Sequence, residues 1–142
     1  MFEEFINQHL LWFGALALIS VLLILSYLQA AVAGANMVSV LEMPMLQRKG
    51  KSAVIDVNKA DHYAAEHIPN SINIPLENIN ADNAALLKYK DKTTIVVCQT
   101  GSRSTKAAKL LTGLGFTNVN ILRGGLISWT KENLPVTRIN NS

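Results

Sequence analysis

The sequence predicts an α/β fold, a parallel sheet flanked by helices and preceded by one transmembrane helix. Three observations carry that prediction. From Ser52 onward, short apolar runs of strand type alternate with helical stretches, the pattern of a parallel sheet covered on both faces. From Phe5 to Leu41 there is no Asp, Glu, Lys or Arg, and Leu10 to Leu28 is almost continuously apolar. The single cysteine, Cys98, stands between a strand run and a helix start, the junction where parallel sheets form their sites.

At 142 residues the chain has room for one soluble domain and an appendage. The 19 residues of Leu10–Leu28 would span about 28 Å as a helix, close to the ~30 Å hydrocarbon core of a bilayer. A cleavable signal is the first competing reading, and Ala31-Val32-Ala33 has the small-residue pattern of a cleavage site. Against it, the preceding residues carry Glu3 and Glu4 and no Lys or Arg, and the apolar run is too long. A buried core helix is the second, and a run this long that is apolar all round does not suit so small a domain. The predicted organisation is a tail over residues 1–9, a transmembrane helix over 10–33, a joint over 34–37, the α/β domain over 38–138 and a tail over 139–142. Arg48, Lys49 and Lys51 follow the helix while no basic residue precedes it, which predicts a single-pass protein with its C-terminal domain in the cytoplasm. Trp12, Phe13 and Tyr27 suit interfacial anchoring.

The net charge of +3 is dispersed, without long basic runs. It suits a mild attraction to anionic headgroups rather than nucleic-acid binding. One cysteine forms no internal disulfide, which fits a reducing compartment and leaves a free thiol.

Along the domain, Val38–Gly50 reads as a short helix containing Pro44. Ala53–Val57 reads as a strand, and Asn58 as the cap of a helix over Lys59–Glu66, with Asp61 in the capping-box position. Ser71–Ile74 is a brief strand closed by Pro75, Asp82–Tyr89 a helix and Thr94–Val97 a strand. Ser104–Leu114 is a helix with Ala107, Leu111 and Leu114 on one face and Gly115 as its stop. Val119–Leu122 is a strand, and Gly124-Gly125 leads into a helix over Leu126–Asn133.

Cys98-Gln99-Thr100-Gly101-Ser102-Arg103 fills the turn between a strand and a helix. Such a turn aims backbone N–H groups and the positive end of the helix dipole at one point. This favours the thiolate, the nucleophilic form of cysteine. Gly101 permits positive φ or close backbone approach. Gln99, Thr100 and Ser102 offer backbone donors, and two of them add hydroxyls. Arg103 brings a permanent charge and a planar fork suited to oxyanions. Ser102 or Ser104 is a natural N-cap. A cysteine after a strand is also a common small buried hydrophobe, and spacing alone leaves both readings open.

Here the chain resembles the single-domain rhodaneses, the sulfurtransferase fold, over about Met37–Val136. Ala53–Val57 resembles the strand that opens that family's core, and Glu66–Pro75 its G-H-I-P-G-A-x-N-I-P segment. Cys98–Arg103 resembles its C-x-x-G-x-R loop, and Gly124–Trp129 its closing G-G-x-x-x-W. Asn58 stands where the family usually has Arg, and Glu66 and Asn70 where it usually has Gly. The resemblance implies a persulfide mechanism. Cys98 would attack the outer sulfur of a donor such as thiosulfate, and Gln99, Thr100, Gly101, Ser102 and Arg103 would hold the anion. A thiol or cyanide, on a small molecule or a protein, would then remove the sulfur, with no metal or organic cofactor. It also implies that His67 is a scaffold residue rather than half of a Cys–His pair, and that Asp56 orders a loop. Trp129 reads as core, and His9 and His62 carry no signal. A related phosphatase group shares the fold but places its arginine six residues after the cysteine. Arg103 is five residues after Cys98, and the shorter loop favours sulfur. A membrane-tethered sulfur-relay or interaction module with little free turnover is the remaining alternative. Turnover with cyanide discriminates it.

Overall fold

The computed structural model describes residues 1–32 and 35–140. Its contacts divide the chain into two units, residues 1–33 and 34–142. Residues 33, 34, 141 and 142, which belong to the predicted transmembrane helix, joint and C-terminal tail, lie outside the described residues.

The first unit holds α1 (Phe2–Gln8) and α2 (Leu10–Val32). Residues 1–9, expected as a plain tail, are therefore mostly helical. Glu3 and Glu4 lie in the first turn, where negative charge complements the helix dipole. Within α2, none of Leu10–Tyr27 is buried, and the helix is long and apolar enough to cross a membrane. A helix packed into a protein core would not leave these side chains exposed.

In the second unit the elements are β1 (Asn36–Val38), α3 (Met43–Arg48), β2 (Ser52–Asp56), α4 (Ala60–Ala65) and β3 (Ile72–Asn73). These are followed by α5 (Ala84–Leu87), β4 (Thr93–Val97), α6 (Ser102–Gly113), β5 (Val119–Leu122) and α7 (Gly125–Lys131). The five strands form one sheet in the order β1-β5-β4-β2-β3, with every pairing parallel.

Strand side chains alternate between the faces, and the core divides accordingly. Val54, Ile95 and Val97 pack with Met43, Leu126 and Trp129 on one face. Ile55, Val96 and Cys98 pack with Ala107, Ala108 and Leu111 of α6 on the other. Each fully buried side chain of the Ile95 or Leu111 kind contributes about 1.5–3 kcal/mol of transfer free energy. The parity of β4 is what turns Cys98 toward the α6 face.

Several local expectations are corrected. A strand occupies part of the expected joint, because Asn36, Met37 and Val38 pair with Asn120, Ile121 and Leu122; three residues are too few to show a period of two in sequence. The helix expected over Val38–Gly50 shrinks to α3. The turn ahead of it is closed by a reciprocal pair, with Ser39 N–H donating to Glu42 Oε2 at 2.9 Å and Glu42 N–H to Ser39 Oγ at 3.2 Å. Asn58 does not cap α4, whose N-cap is Lys59 without a side-chain bond. Asn70, where a glycine was noted as usual, adopts φ 63°, in the left-handed region that asparagine tolerates better than most residues.

Candidate active site

Strand β4 delivers Cys98 to the floor of a cavity of about 200 Å³ lined by Asn58, His62, Cys98, Gln99, Thr100, Ser102 and Arg103. The cysteine is 1% exposed. Its sulfur nevertheless meets a donor: Gly101 N–H reaches Cys98 Sγ at 2.9 Å. Gly101 is the N-cap of α6 and has φ 108°, a conformation that costs a residue with a side chain roughly 1–2 kcal/mol. Among the described residues no other donor is within hydrogen-bond distance of the sulfur, so the turn supplies one direct bond where several converging backbone N–H groups were expected. Neither Ser102 nor Ser104 caps α6 through its side chain. Ser104 turns inward instead, and its Oγ is buried without a partner.

Helix α7 holds the turn in shape. Leu126 N–H donates to Cys98 O at 2.9 Å and Ile127 N–H to Gln99 O at 3.2 Å. In a planar trans peptide the C=O and the following N–H point in opposite directions. Anchoring these two carbonyls on α7 therefore turns the N–H groups of Gln99 and Thr100 away from it. The approach is close enough to require glycine: a Cβ on Gly125 would lie 2.3 Å from Cys98 O and 2.8 Å from Gln99 O. The double glycine ahead of Trp129 is thus part of the site's support, and Trp129 is fixed by Nε1–H donating to Pro135 O at 2.9 Å.

Of the residues expected to bind the donor, Gln99, Thr100, Ser102 and Arg103 line the cavity and Gly101 contributes its amide. Two further lining residues, Asn58 and His62, were not singled out for the site in sequence. His62 is an exposed residue of α4, and only the tertiary fold brings it into the lining. His67 is not in the lining. Its Nδ1 lies 2.7 Å from Tyr63 O, its ring stacks on Tyr63, and its backbone pairs with Thr137.

Beneath the turn, β2 is joined to β4 beyond the strand ends by Val57 N–H donating to Val97 O at 2.9 Å. Asp56, fully buried, accepts Asn58 N–H on Oδ1 at 2.9 Å, while Oδ2 has no partner. Burial pushes the Asp56 carboxyl above its ordinary range, opposed by the Asn58 amides and by His67. The Asn58 side chain exerts its part without hydrogen-bond geometry, since its own Nδ2 and Oδ1 are also unpartnered.

The fold and the turn define a class: a parallel α/β domain that presents one cysteine, held by a backbone amide, in a cavity whose lining includes an arginine. Residues 27–132 match the rhodanese-like domain. The chain is 31% identical over 137 residues to the Escherichia coli protein YibN, covering 95% of each. It superposes on the BH2092 protein of Bacillus halodurans with a TM-score of 0.65 and 32% identity, covering 80% of this chain and 85% of that one. The adenylyltransferase and sulfurtransferase UBA4 of Candida albicans is 34% identical over 94 residues, which is 62% of this chain and 22% of that protein. This chain belongs to the rhodanese-like family, and that family together with the likeness to UBA4 supports a role in sulfur transfer in general.

Proposed function

We propose that this chain is a membrane-anchored sulfurtransferase that moves a sulfane sulfur from an anionic donor such as thiosulfate to a thiophilic acceptor through a persulfide on Cys98. The observation that carries the reading is the Gly101 N–H on Cys98 Sγ at 2.9 Å, in a cavity whose lining includes the Arg103 guanidinium. The amide favours the sulfur in its anionic form, and the guanidinium suits an oxyanion.

In the first half-reaction the Cys98 thiolate attacks the outer sulfur of thiosulfate. A new S–S bond forms, the old one breaks, and sulfite leaves with the electron pair. In the second, a thiolate or cyanide attacks the outer sulfur of the persulfide, and Cys98 departs as thiolate. Electrons and atoms balance without a further reagent. Gln99, Thr100, Gly101, Ser102 and Arg103 bind the donor, and α2 anchors the domain in the membrane with the domain on the cytoplasmic side. The α/β domain is taken as residues 38–138, preceded by the β1 residues Asn36 and Met37.

Steady-state thiocyanate formation from thiosulfate and cyanide tests this. Parallel double-reciprocal lines, the mark of two half-reactions through a covalent enzyme form, are expected. Intersecting lines would contradict a free persulfide intermediate. The likeness to a segment of UBA4, whose own name includes sulfurtransferase, favours one second reading, a relay that hands its sulfur to a protein. A relay would load with sulfur yet turn over slowly with cyanide.

A further inference from the structure

Asn58 is the residue of the cavity that the persulfide chemistry leaves without a task. It is 1% exposed. Its backbone is fully engaged, N–H donating to Asp56 Oδ1 at 2.9 Å and O accepting from Asn73 Nδ2 at 2.9 Å. Its side chain is not: Nδ2 and Oδ1 are both buried without a partner, although the residue lines the same cavity as Cys98 and Arg103. A buried amide with neither end paired is a standing cost, and native structures rarely carry one without a reason. The backbone bonds fix where the side chain starts, so the amide is free to adjust only by turning about its own side-chain torsions. A ligand atom in the cavity would then relieve the cost.

Charge decides what kind of ligand. Among the lining residues, Arg103 is the one side chain with a permanent positive charge, while His62 is an exposed group at the rim. Attack by the Cys98 thiolate on thiosulfate brings three negative charges together in this space. Attack on a donor of one negative charge brings two. A neutral amide offers two N–H donors and an oxygen with two acceptor lone pairs, and no compensating charge.

We infer that Asn58 is a donor-recognition residue that adapts this cavity to sulfane-sulfur donors of single negative charge, the organic persulfides and thiosulfonates, in preference to the thiosulfate dianion. The inference rests on the persulfide reading above. With a thiosulfonate, the Cys98 thiolate attacks the sulfane sulfur, the new S–S bond forms, and the organic sulfinate leaves with the electron pair. With an organic persulfide anion, the leaving group is the thiolate. The Asn58 amide pairs with a polar atom of the donor, and Arg103 takes its charge.

The test uses the full chain in detergent micelles and two small donors that differ chiefly in charge, methanethiosulfonate and thiosulfate, with kcat/KM measured for each. The readout is the ratio of the two values. Asn58→Arg, which adds a cation, is expected to shift the ratio toward thiosulfate by about tenfold or more. Asn58→Asp, the same size with an added negative charge, is expected to shift it the opposite way, and it preserves the readout if the larger arginine disturbs the turn. A purely structural asparagine would lower both values together. Ratios within about twofold of the wild type in both variants, with Cys98 still accepting sulfur, would overturn the inference and leave the persulfide reading standing. If neither donor loads Cys98 in the wild type, the persulfide reading itself fails and this inference falls with it.

Discussion

Arg103 and Asp56 are the two charged residues on which the chemistry and the stability of the site turn. Arg103 lines the Cys98 cavity, and a hydrogen bond to a charged partner contributes about 1.5–3 kcal/mol. Arg103→Ala is therefore expected to raise the KM for thiosulfate by about tenfold or more, with the circular-dichroism spectrum unchanged. An unchanged KM would mean that the guanidinium does not face the donor. Asp56 acts through pH. Its folded-state pKa is raised, first by burial, so between the unfolded and folded values the folded protein holds the extra proton. Stability therefore falls as pH rises from the ordinary carboxylate range, near ~3.9, and levels off above the folded value. Asp56→Asn keeps the acceptor for Asn58 N–H and removes the titration. Its urea midpoint at neutral pH is expected to equal or exceed that of the wild type, with the difference moving in the wild type's favour as pH falls. A variant that is weaker at every pH by a constant amount would contradict this.

At the scale of elements, the site depends on α7 as much as on the turn itself. Gly125→Ala forces a Cβ to 2.3 Å from Cys98 O at a φ of 59°. It is expected to cost about 2–4 kcal/mol and to abolish sulfur loading. Gly113→Ala, in α6 with nothing within 4 Å of the added Cβ, is the control, expected to change stability by no more than about 1 kcal/mol. Thermal unfolding of both variants checks the pair. The strands β2, β4 and β5 were legible in sequence because short runs of β-branched and apolar residues, Ala53–Ile55, Ile95–Val97 and Ile121-Leu122, stand between polar or glycine-bearing segments, and the Cys98 turn because Gly101 and Arg103 follow the cysteine directly before a helix. Strand β1 was not, because three residues on a sheet edge carry no period. Nor was the place of Asn58 and His62 in the cavity. Asn58 read as a helix cap because asparagine is a preferred residue before a helix, whereas its backbone N–H bonds Asp56 and its side chain is buried, contacts that depend on how β2 ends. The role of Gly125 as the point where α7 meets the Cys98 turn is a long-range contact, and sequence spacing alone does not express it.

The whole molecule joins a sulfur-transfer fold to an apolar helix. If α2 anchors the chain as proposed, the full-length protein stays in the membrane pellet through high-salt and alkaline washes. Recovery in the supernatant would count against the anchor. Everything proposed about the molecule, from donor charge to relay, requires that the one cysteine accept a sulfur atom while sitting almost fully buried against a single backbone amide. The most direct measurement is the intact mass of the full-length protein after incubation with thiosulfate and removal of excess donor. The wild type is expected to gain the mass of one sulfur atom, lost again on treatment with cyanide, and Cys98→Ser to gain none. A wild-type protein that gains nothing, or a Cys98→Ser protein that gains as much, would contradict the account.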